Sequence, residues 1–514
     1  MKKKSLLSLI VMIVSLLLLG ACSDSDTNST GGNTETDNGL IGIDEDGNGI
    51  PDWQEQEIEL VYASSFYGES DEANPIWLNI EKFMEKHENI TVIRDRQFAA
   101  DEDDFTQLEM LNARAMEGNL PDIFYSPLSA EAYDREFTLD LTPYIEADEE
   151  AEWISDNARE FMQTYDGEEI YGVPWMSVSQ FVVINTRLLK ENNIAIPSYD
   201  WTYEDYENLR SEIAKLTPNN PIFPGIVNLS EIGPHYFDGI PNGWKGYNIE
   251  TEQWELANAT NYGQWLEQFA REAVEGLHFY DLSEEERIEK VGNLGWAFGD
   301  GLQVIDGMWM YALSGDVNEF IVNREMDIDI YPLPTAPEGG ETHLQAYYDT
   351  LSLSSQLADD PVKAEAAFQL LKWLTYSEEG LLSKWALIDE YTGLPEDAPL
   401  RAEQELMNFV QGWPVISNPD VLQHHPLVKG FPEDSELAIF NFDAFKEEHF
   451  QQQLANPIAY PRHMPGVSNA FNEINTWEIM HQIRDEGVRY NDIAGEWDLM
   501  MNDLLEEYLR QYNR

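Results

Sequence analysis

The sequence predicts an α/β chain built from more than one lobe, on three observations. Ile58-Glu-Leu-Val-Tyr-Ala63 and Ile90-Thr-Val-Ile93 read as strands flanking a helix over 76–86. Strand, helix, strand at this spacing argues a βαβ unit in a parallel sheet. Phe181-Val182-Val183-Ile184 is β-branched, wholly apolar and ends at Asn185. It follows a Gly172 and Pro174 elbow that rules out helix, so it serves either as a crossing between lobes or as an internal strand of one sheet. The 514 residues allow two or three domains, each with a large core.

Composition narrows the class. Apolar content of 43%, with 24 Tyr, 22 Phe and 15 Trp, excludes wholesale disorder. The formal net charge of −66 repels phosphates and anionic headgroups, which excludes nucleic acid as a partner. Such a surface suits a protein bathed directly in a salty or alkaline medium.

At the N-terminus, Lys2-Lys3-Lys4 is a basic region and Leu6 to Leu19 an apolar stretch too short to span a membrane, the pattern of a signal peptide. It ends in Leu19-Gly20-Ala21-Cys22, which resembles the bacterial lipobox. That resemblance implies cleavage after residue 21 and lipid on Cys22, anchoring the chain to the outer face of the cell membrane. Cys22 is the one cysteine, so no disulfide is expected. Residues 22–40 are Ser, Thr, Asn, Asp and Gly with almost no apolar groups, and read as a flexible tether.

Residues 41–56 hold a candidate calcium loop. Asp44, Asp46, Asn48, Gly49, Ile50, Asp52 and Glu55 fit D-x-D-x-N-G-x-x-D-x-x-E at every ligand position. Side-chain oxygens of Asp44, Asp46 and Asn48 would converge on one ion, with the Ile50 carbonyl, Asp52 often through water, and a bidentate Glu55. Gly49 permits the sharp turn. No helix can enter the loop from residues 30–40, so it is more like a thrombospondin type 3 or dockerin loop than a paired EF-hand. A structural Ca²⁺ is expected there.

The body follows in order. Residues 64–74 are a loop, 76–86 a helix with Trp77, Ile80, Phe83 and Met84 on one face, and 105–117 a second helix. Gly118-Asn-Leu-Pro121-Asp122-Ile123-Phe124 leads into Tyr125 and Ser126, and Leu139-Asp-Leu-Thr-Pro-Tyr144 opens a further helix. Thr202 with Asp205 is a capping box opening a helix, and helical periodicity recurs near 260–275 and 283–291. Val304-Ile-Asp306-Gly-Met-Trp309 and Ile328 to Pro337 (IDIYPLPTAP) follow. His343 to Ser352 is extended. Asp360-Pro361 caps a helix with Val362, Ala366, Leu370, Leu371 and Leu374 on its apolar side.

These motifs, in this order, resemble the extracellular solute-binding proteins of ABC importers, in the large branch that includes maltose-binding protein. The matching segments are Asp166-Gly167 with Tyr171-Gly-Val-Pro174, the Pro121-Asp122 step, the Leu139–Tyr144 helix start, the Trp201-Thr202 opening, Asp306-Gly307 with Trp309, and the helix pair over 359–385. Before Trp309 the small-residue-Met step of the family is not kept. The resemblance covers 57–385 and, weakly, 468–510; residues 393–465 do not match.

The resemblance implies a two-lobed periplasmic-binding-protein-like fold of type II, each lobe a mainly parallel sheet flanked by helices. Lobe 1 would comprise 57–174 and 352–460, lobe 2 would comprise 175–343 and 461–514, and 344–351 would be the return crossing. A solute would sit between the lobes, lined by Tyr67, Tyr125, Ser126, Trp175, Trp309, Tyr347 and Tyr348, with Asp306 and Asp349 accepting hydroxyl hydrogen bonds. A sugar or oligosaccharide is favoured, because aromatic rings offer apolar faces to sugar C–H groups and polar edges to hydroxyls. The partner would be a membrane permease, and the protein a monomer.

No enzyme constellation is present: there is no G-x-S-x-G, H-E-x-x-H, Walker loop or G-x-G-x-x-G, and His424-His425 lacks a metal-spaced partner. No catalysis is expected. The alternatives are a lipid-anchored glycoside hydrolase, whose paired carboxylates could hide among 96 acids, and a surface adhesin or sensor holding glycan.

Overall fold

The computed structural model describes residues 41–64, 74–95, 104–125, 129–164, 166–218, 220–292, 294–391, 410, 412–459, 467–473 and 475–511. The leader, the tether with Cys22, Tyr67 and Ser126 lie outside the described residues. In chain order the strands are β1 (Ile58–Ala63), β2 (Ile90–Arg94), β3 (Ile123–Tyr125), β4 (Val173–Asn185), β5 (Phe223–Gly225), β6 (Tyr247–Asn248), β7 (Gln253–Trp254), β8 (Gln303–Trp309), β9 (Ile328–Tyr331), β10 (Gln345–Leu353) and β11 (Ile458–Ala459). The sheet runs β2-β1-β3-β10-β4-β8-β5, with β11 beside β10 and β9 beside β4. β6 and β7 form a separate antiparallel pair.

The expected βαβ unit is present. β1 and β2 pair in parallel, with Ile58 opposite Ile90, and β3 joins β1 in parallel. The connecting helix, Pro75–Lys86, starts where the Asn74 side chain accepts from the Trp77 amide and Pro75 supplies a fixed φ in the first turn. Its buried face is wider than the single stripe read from sequence. Ile80 and Phe83 are buried as expected, but so are Ile76, Leu78 and Asn79, while Trp77 and Met84 are half-buried. Two later helices, Pro361–Thr375 and Glu378–Tyr391, close over it; the Trp373 indole donates to the Asn79 carbonyl at 3.0 Å.

The apolar stretch around 181–184 belongs to a longer element, the 13-residue β4, buried throughout except at half-buried Gln180. Its first part pairs antiparallel with β10, and its second part pairs antiparallel with β8 on one side and β9 on the other. β10 continues to β3, also antiparallel, while β5 and β8 are parallel. The chain therefore forms two α/β halves, with parallel pairs toward the outside and β4 and β10 passing between them.

The register of the crossing is fixed locally. A Cβ on Gly172 would come 2.6 Å from Thr350 Cγ2 and 2.9 Å from the Leu351 carbonyl, so only glycine lets the two strands approach. Asp349 opposes Met176 but the next residue, Thr350, opposes Pro174. Trp175 is thus the extra residue of a bulge, the kind of site where a strand proline is tolerated.

β11 runs parallel to β10, a third passage of the chain alongside the first two. Beyond it, the helices Thr476–Glu486 and Tyr490–Gln511 pack on the helix Thr260–Val274, through Trp265 with Trp477 and Tyr262 with Tyr490. The described part of 393–465, which sequence patterns left unplaced, is drawn in by backbone pairing. Trp413 exchanges two 2.8 Å hydrogen bonds with Ser177, and Ile416 bridges Ile154. The Gln453 side chain, further on, accepts from the Leu333 amide at 3.0 Å.

The capping box of Thr202 and Asp205 and the Asp360 cap are both formed. The helix Glu284–Val291, capped by Ser283 and Glu286, carries no buried residue, so its periodicity does not mark core. Residues 41–56 are fastened to the first half: the Gly42 amide donates to Glu365, and Trp53 is buried with its carbonyl accepting from Asn89. No helix among the described residues is long and apolar enough to cross a membrane.

Candidate functional site

The crossing strands set out one row of side chains. Successive residues of a strand point to opposite faces, so Tyr347 and Asp349 stand on one face of β10 and Tyr348 on the other. Across the ladder, Tyr347 opposes Val178 on β4, and Gln180, two residues on, opposes Trp309 on β8. Gln180, Trp309, Tyr347 and Asp349 therefore share a face. The rings of Trp309 and Tyr347, both half-buried, lie 4.7 Å apart at 32°. Trp244, on a short turn of the second half, packs edge-on to Tyr347 at 6.2 Å. Toward the first half, the Tyr125 hydroxyl at the end of β3 donates to Asp349 Oδ1 at 3.1 Å.

Asp306 lies at the wall of a hollow of about 460 Å³ in the second half, which Gln180, Gly307, Tyr280, His278 and Trp477 also line. Its carboxylate accepts from the Trp296 indole at 2.8 Å and from the Gly307 amide at 2.9 Å. Desolvation outweighs both and pushes the carboxyl up to about 7. A carboxyl that changes charge near neutrality can accept from or donate to a ligand hydroxyl.

Two sequence-selected aromatics fall elsewhere. Tyr348 is 2% exposed and packs on Phe161 at 4.9 Å, on the face opposite Tyr347. The pleat that brings Tyr347 to the row necessarily turns its neighbour into the core. Trp175 is 4% exposed; as the bulged residue it turns into the first half, where Lys384 Nζ stands 5.0 Å over its ring. Both are corrected from cleft residues to core residues. The structure brings together Tyr125, itself only 7% exposed, Asp349, Tyr347 and Trp309, whereas Asp306, opposite Val183, alternates to the other face of β8. Gln180, Trp244 and Tyr280 were missed. Gln180 carried a signal, as a long polar side chain immediately before the apolar run 181–184; Trp244 and Tyr280 sit in irregular segments that no periodicity reports.

In the candidate calcium loop, the Asp44 carboxylate accepts from the Asn48 and Gly49 amides at 3.0 and 2.7 Å, and the Asn48 side-chain amide donates to Asp46 at 3.2 Å and to Glu55 at 2.8 Å. Those bonds, the Gly49 amide first, hold Asp44 below its usual carboxylate range. Gly47 and Gly49 both take positive φ. Asp46, Asn48 and Glu55 are exposed and Asp44 half-buried, while Asp52 is buried, its carboxylate reached by the Glu45 amide at 3.4 Å. The Asn48 side-chain oxygen accepts from the Ile50 amide at 2.7 Å, and among the described residues no three carboxylates of this loop lie within 4.8 Å of one another.

An α/β protein whose halves share crossing strands, with a row of rings and carboxyls where they meet, has the architecture of a binding protein that holds a ligand between lobes. The family model of the bacterial extracellular solute-binding proteins matches residues 79–406, and the chain belongs to that family. Solved structures agree on the two-lobed fold. A sugar transporter protein from Rhizobium etli, in an open conformation, superposes with a TM-score of 0.58 at 16% identity, covering 87% of this chain and 99% of that one. The cyclic α-maltosyl-1,6-maltose binding protein of Arthrobacter globiformis gives 0.57 at 13% identity over 87% and 99%. An ABC substrate-binding protein from Listeria monocytogenes, in complex with cycloalternan, gives 0.54 at 16% over 89% and 100%. No curated protein sequence matches the chain.

Proposed function

We propose that this solute-binding protein captures a sugar or oligosaccharide between its halves and delivers it to an ABC transporter permease. The observation that carries the reading is the half-buried pair Trp309 and Tyr347 at the crossing, with the carboxyl of Asp349 on the same face. Rings present apolar faces to sugar C–H groups, and carboxylates accept hydroxyl hydrogen bonds in a site drier than bulk water. Sugar binders among the fold neighbours support the ligand class. The protein binds and releases without chemistry.

Closure follows from contacts on both sides. A ligand held only by Trp309 of the second half would bind open and closed forms alike and shift nothing. One that also reaches Tyr125 and Asp349 favours the closed form, which then docks on the permease. The protein acts as a monomer, held to the outer face of the membrane by lipid on Cys22, with Ca²⁺ in the 44–55 loop stiffening the junction between tether and body.

The test is a thermal-shift screen of the purified chain against mono- and oligosaccharides, since a ligand that binds only the folded form raises the melting temperature. A saturable shift by one sugar class, with no reducing sugar released, supports the reading. No shift by any carbohydrate sinks the ligand class, and release of reducing sugar sinks the binding-only role.

A further inference from the structure

A second cluster lies away from the aromatic row. His235, on the helix Gly233–Asp238, is 6% exposed, and its Nδ1 is 2.9 Å from the Ile240 carbonyl. His343, two residues before β10, places Nδ1 2.8 Å from the Asn456 carbonyl. A carbonyl only accepts, so each Nδ1 carries the proton and each Nε2 keeps its lone pair. Both Nε2 atoms face one carboxylate oxygen, Glu341 Oε2, at 3.8 and 3.9 Å. All three ligand atoms lie within 4.8 Å of one another. His235 Nε2 is buried with no hydrogen-bond partner among the described residues.

Three electron-rich atoms facing one point repel one another unless something positive joins them. The geometry is set by backbone. A Cβ on Gly340 would fall 1.8 Å from the Tyr236 carbonyl, and one on Gly239 2.7 Å from the Gly339 carbonyl. The loop before β10 is therefore pressed against the helix that carries His235, which brings residues 341 and 343 over it.

We propose that His235, Glu341 and His343 bind a divalent first-row transition cation, zinc foremost. Two imidazoles and one carboxylate suit that class better than calcium or magnesium, which take oxygen donors. Ligand atoms about 2.1 Å from a tetrahedral zinc lie about 3.4 Å apart, so the two histidine–carboxylate gaps must each close by about 0.5 Å and the gap between the two Nε2 atoms by at most about 1.4 Å. Glu341, 61% exposed at its side chain, can close its own two gaps, and a small rotation of His343, 30% exposed, closes the third. The two Nδ1–carbonyl bonds are the outer contacts that orient metal-binding histidines. The cluster opens on a cavity of about 410 Å³ that Glu160 and Asn242 also line, which leaves a fourth position for water. A cation here would tie the second half to the segments leading into β10 and β11.

The test uses the mature chain with Cys22→Ser throughout, to remove the thiol, stripped with chelator and held in excess Ca²⁺ and Mg²⁺ to occupy the acidic surface. It is titrated with Co²⁺. The expected result is a visible absorption band that saturates at one equivalent and is abolished by Zn²⁺. His343→Ala and Glu341→Gln should each weaken binding at least about tenfold while leaving the metal-free melting temperature within error. Glu341 is exposed, so its variant carries the test should the histidine variant misfold. Absence of a one-equivalent band, or binding unchanged in a folded variant, overturns the proposal.

Discussion

The rings of Trp309 on β8 and Tyr347 on β10 meet over the strand that separates them, their centres 4.7 Å apart across β4. Trp309 is supplied by the second half, whereas Tyr347 stands on a strand that continues to β3 in the first. A ligand on this pair would touch the segment about which the halves move. Trp309→Ala should weaken binding of the sugar found by the screen by about 2 kcal/mol or more, roughly thirtyfold. Because Trp309 is half-buried, the melting temperature without ligand should change little. Titration calorimetry decides it; unchanged affinity removes Trp309 from the site.

Asp306 should make stability and binding pH-dependent. Its folded carboxyl is raised to about 7 by desolvation, above the ordinary value near 3.8. Between those values the folded state holds a proton that the unfolded state has lost, so stability falls as pH rises through this window, by at most about 1.4 kcal/mol per pH unit. Above it the contribution is flat. Asp306→Asn removes the charge, so the variant's melting temperature relative to wild type should climb from pH 5 to pH 7.5. A constant difference across that range refutes the assignment.

Gly172→Ala tests the close approach of the crossing strands. The new methyl would meet Thr350, Ser352 and the Leu351 carbonyl inside 3 Å. Overpacking of this kind costs about 1–3 kcal/mol. Denaturant unfolding should show that loss, with ligand affinity falling as the row of Tyr347 and Asp349 shifts. A variant as stable as wild type would falsify the packing argument.

Calcium should raise the melting temperature of the wild-type chain and not of Asp44→Ala. Residues 41–56 grip the body through Glu365 and Asn89, so ordering the loop adds to stability of the part it is fastened to. Equal calcium heats from the two proteins in calorimetry would remove the loop from the account.

The fold class was legible because its cues are local. β1, the first helix and β2 announce themselves by period, and the order of motifs from Pro121-Asp122 to the helix pair after Asp360 marks the family. The site was less legible for two reasons. Strand parity separates Tyr347 from Tyr348, but parity cannot be read until register is known, and the Trp175 bulge shifts it by one residue. Trp244 reaches the row through a turn distant in sequence, a tertiary contact no window contains. The 412–417 segment joins the first half through backbone bonds such as those of Trp413 to Ser177, which any side-chain sequence could make.

The three passages between the halves, β4, β10 and β11, run side by side and are hydrogen-bonded to one another in a single ribbon. Swivelling one half about the strand direction would shear those bonds, whereas flexing the ribbon across its width keeps them. An opening that keeps these bonds would turn as a book turns on its spine, so a probe pair set on the two outer margins should report the movement while a pair along the spine stays silent.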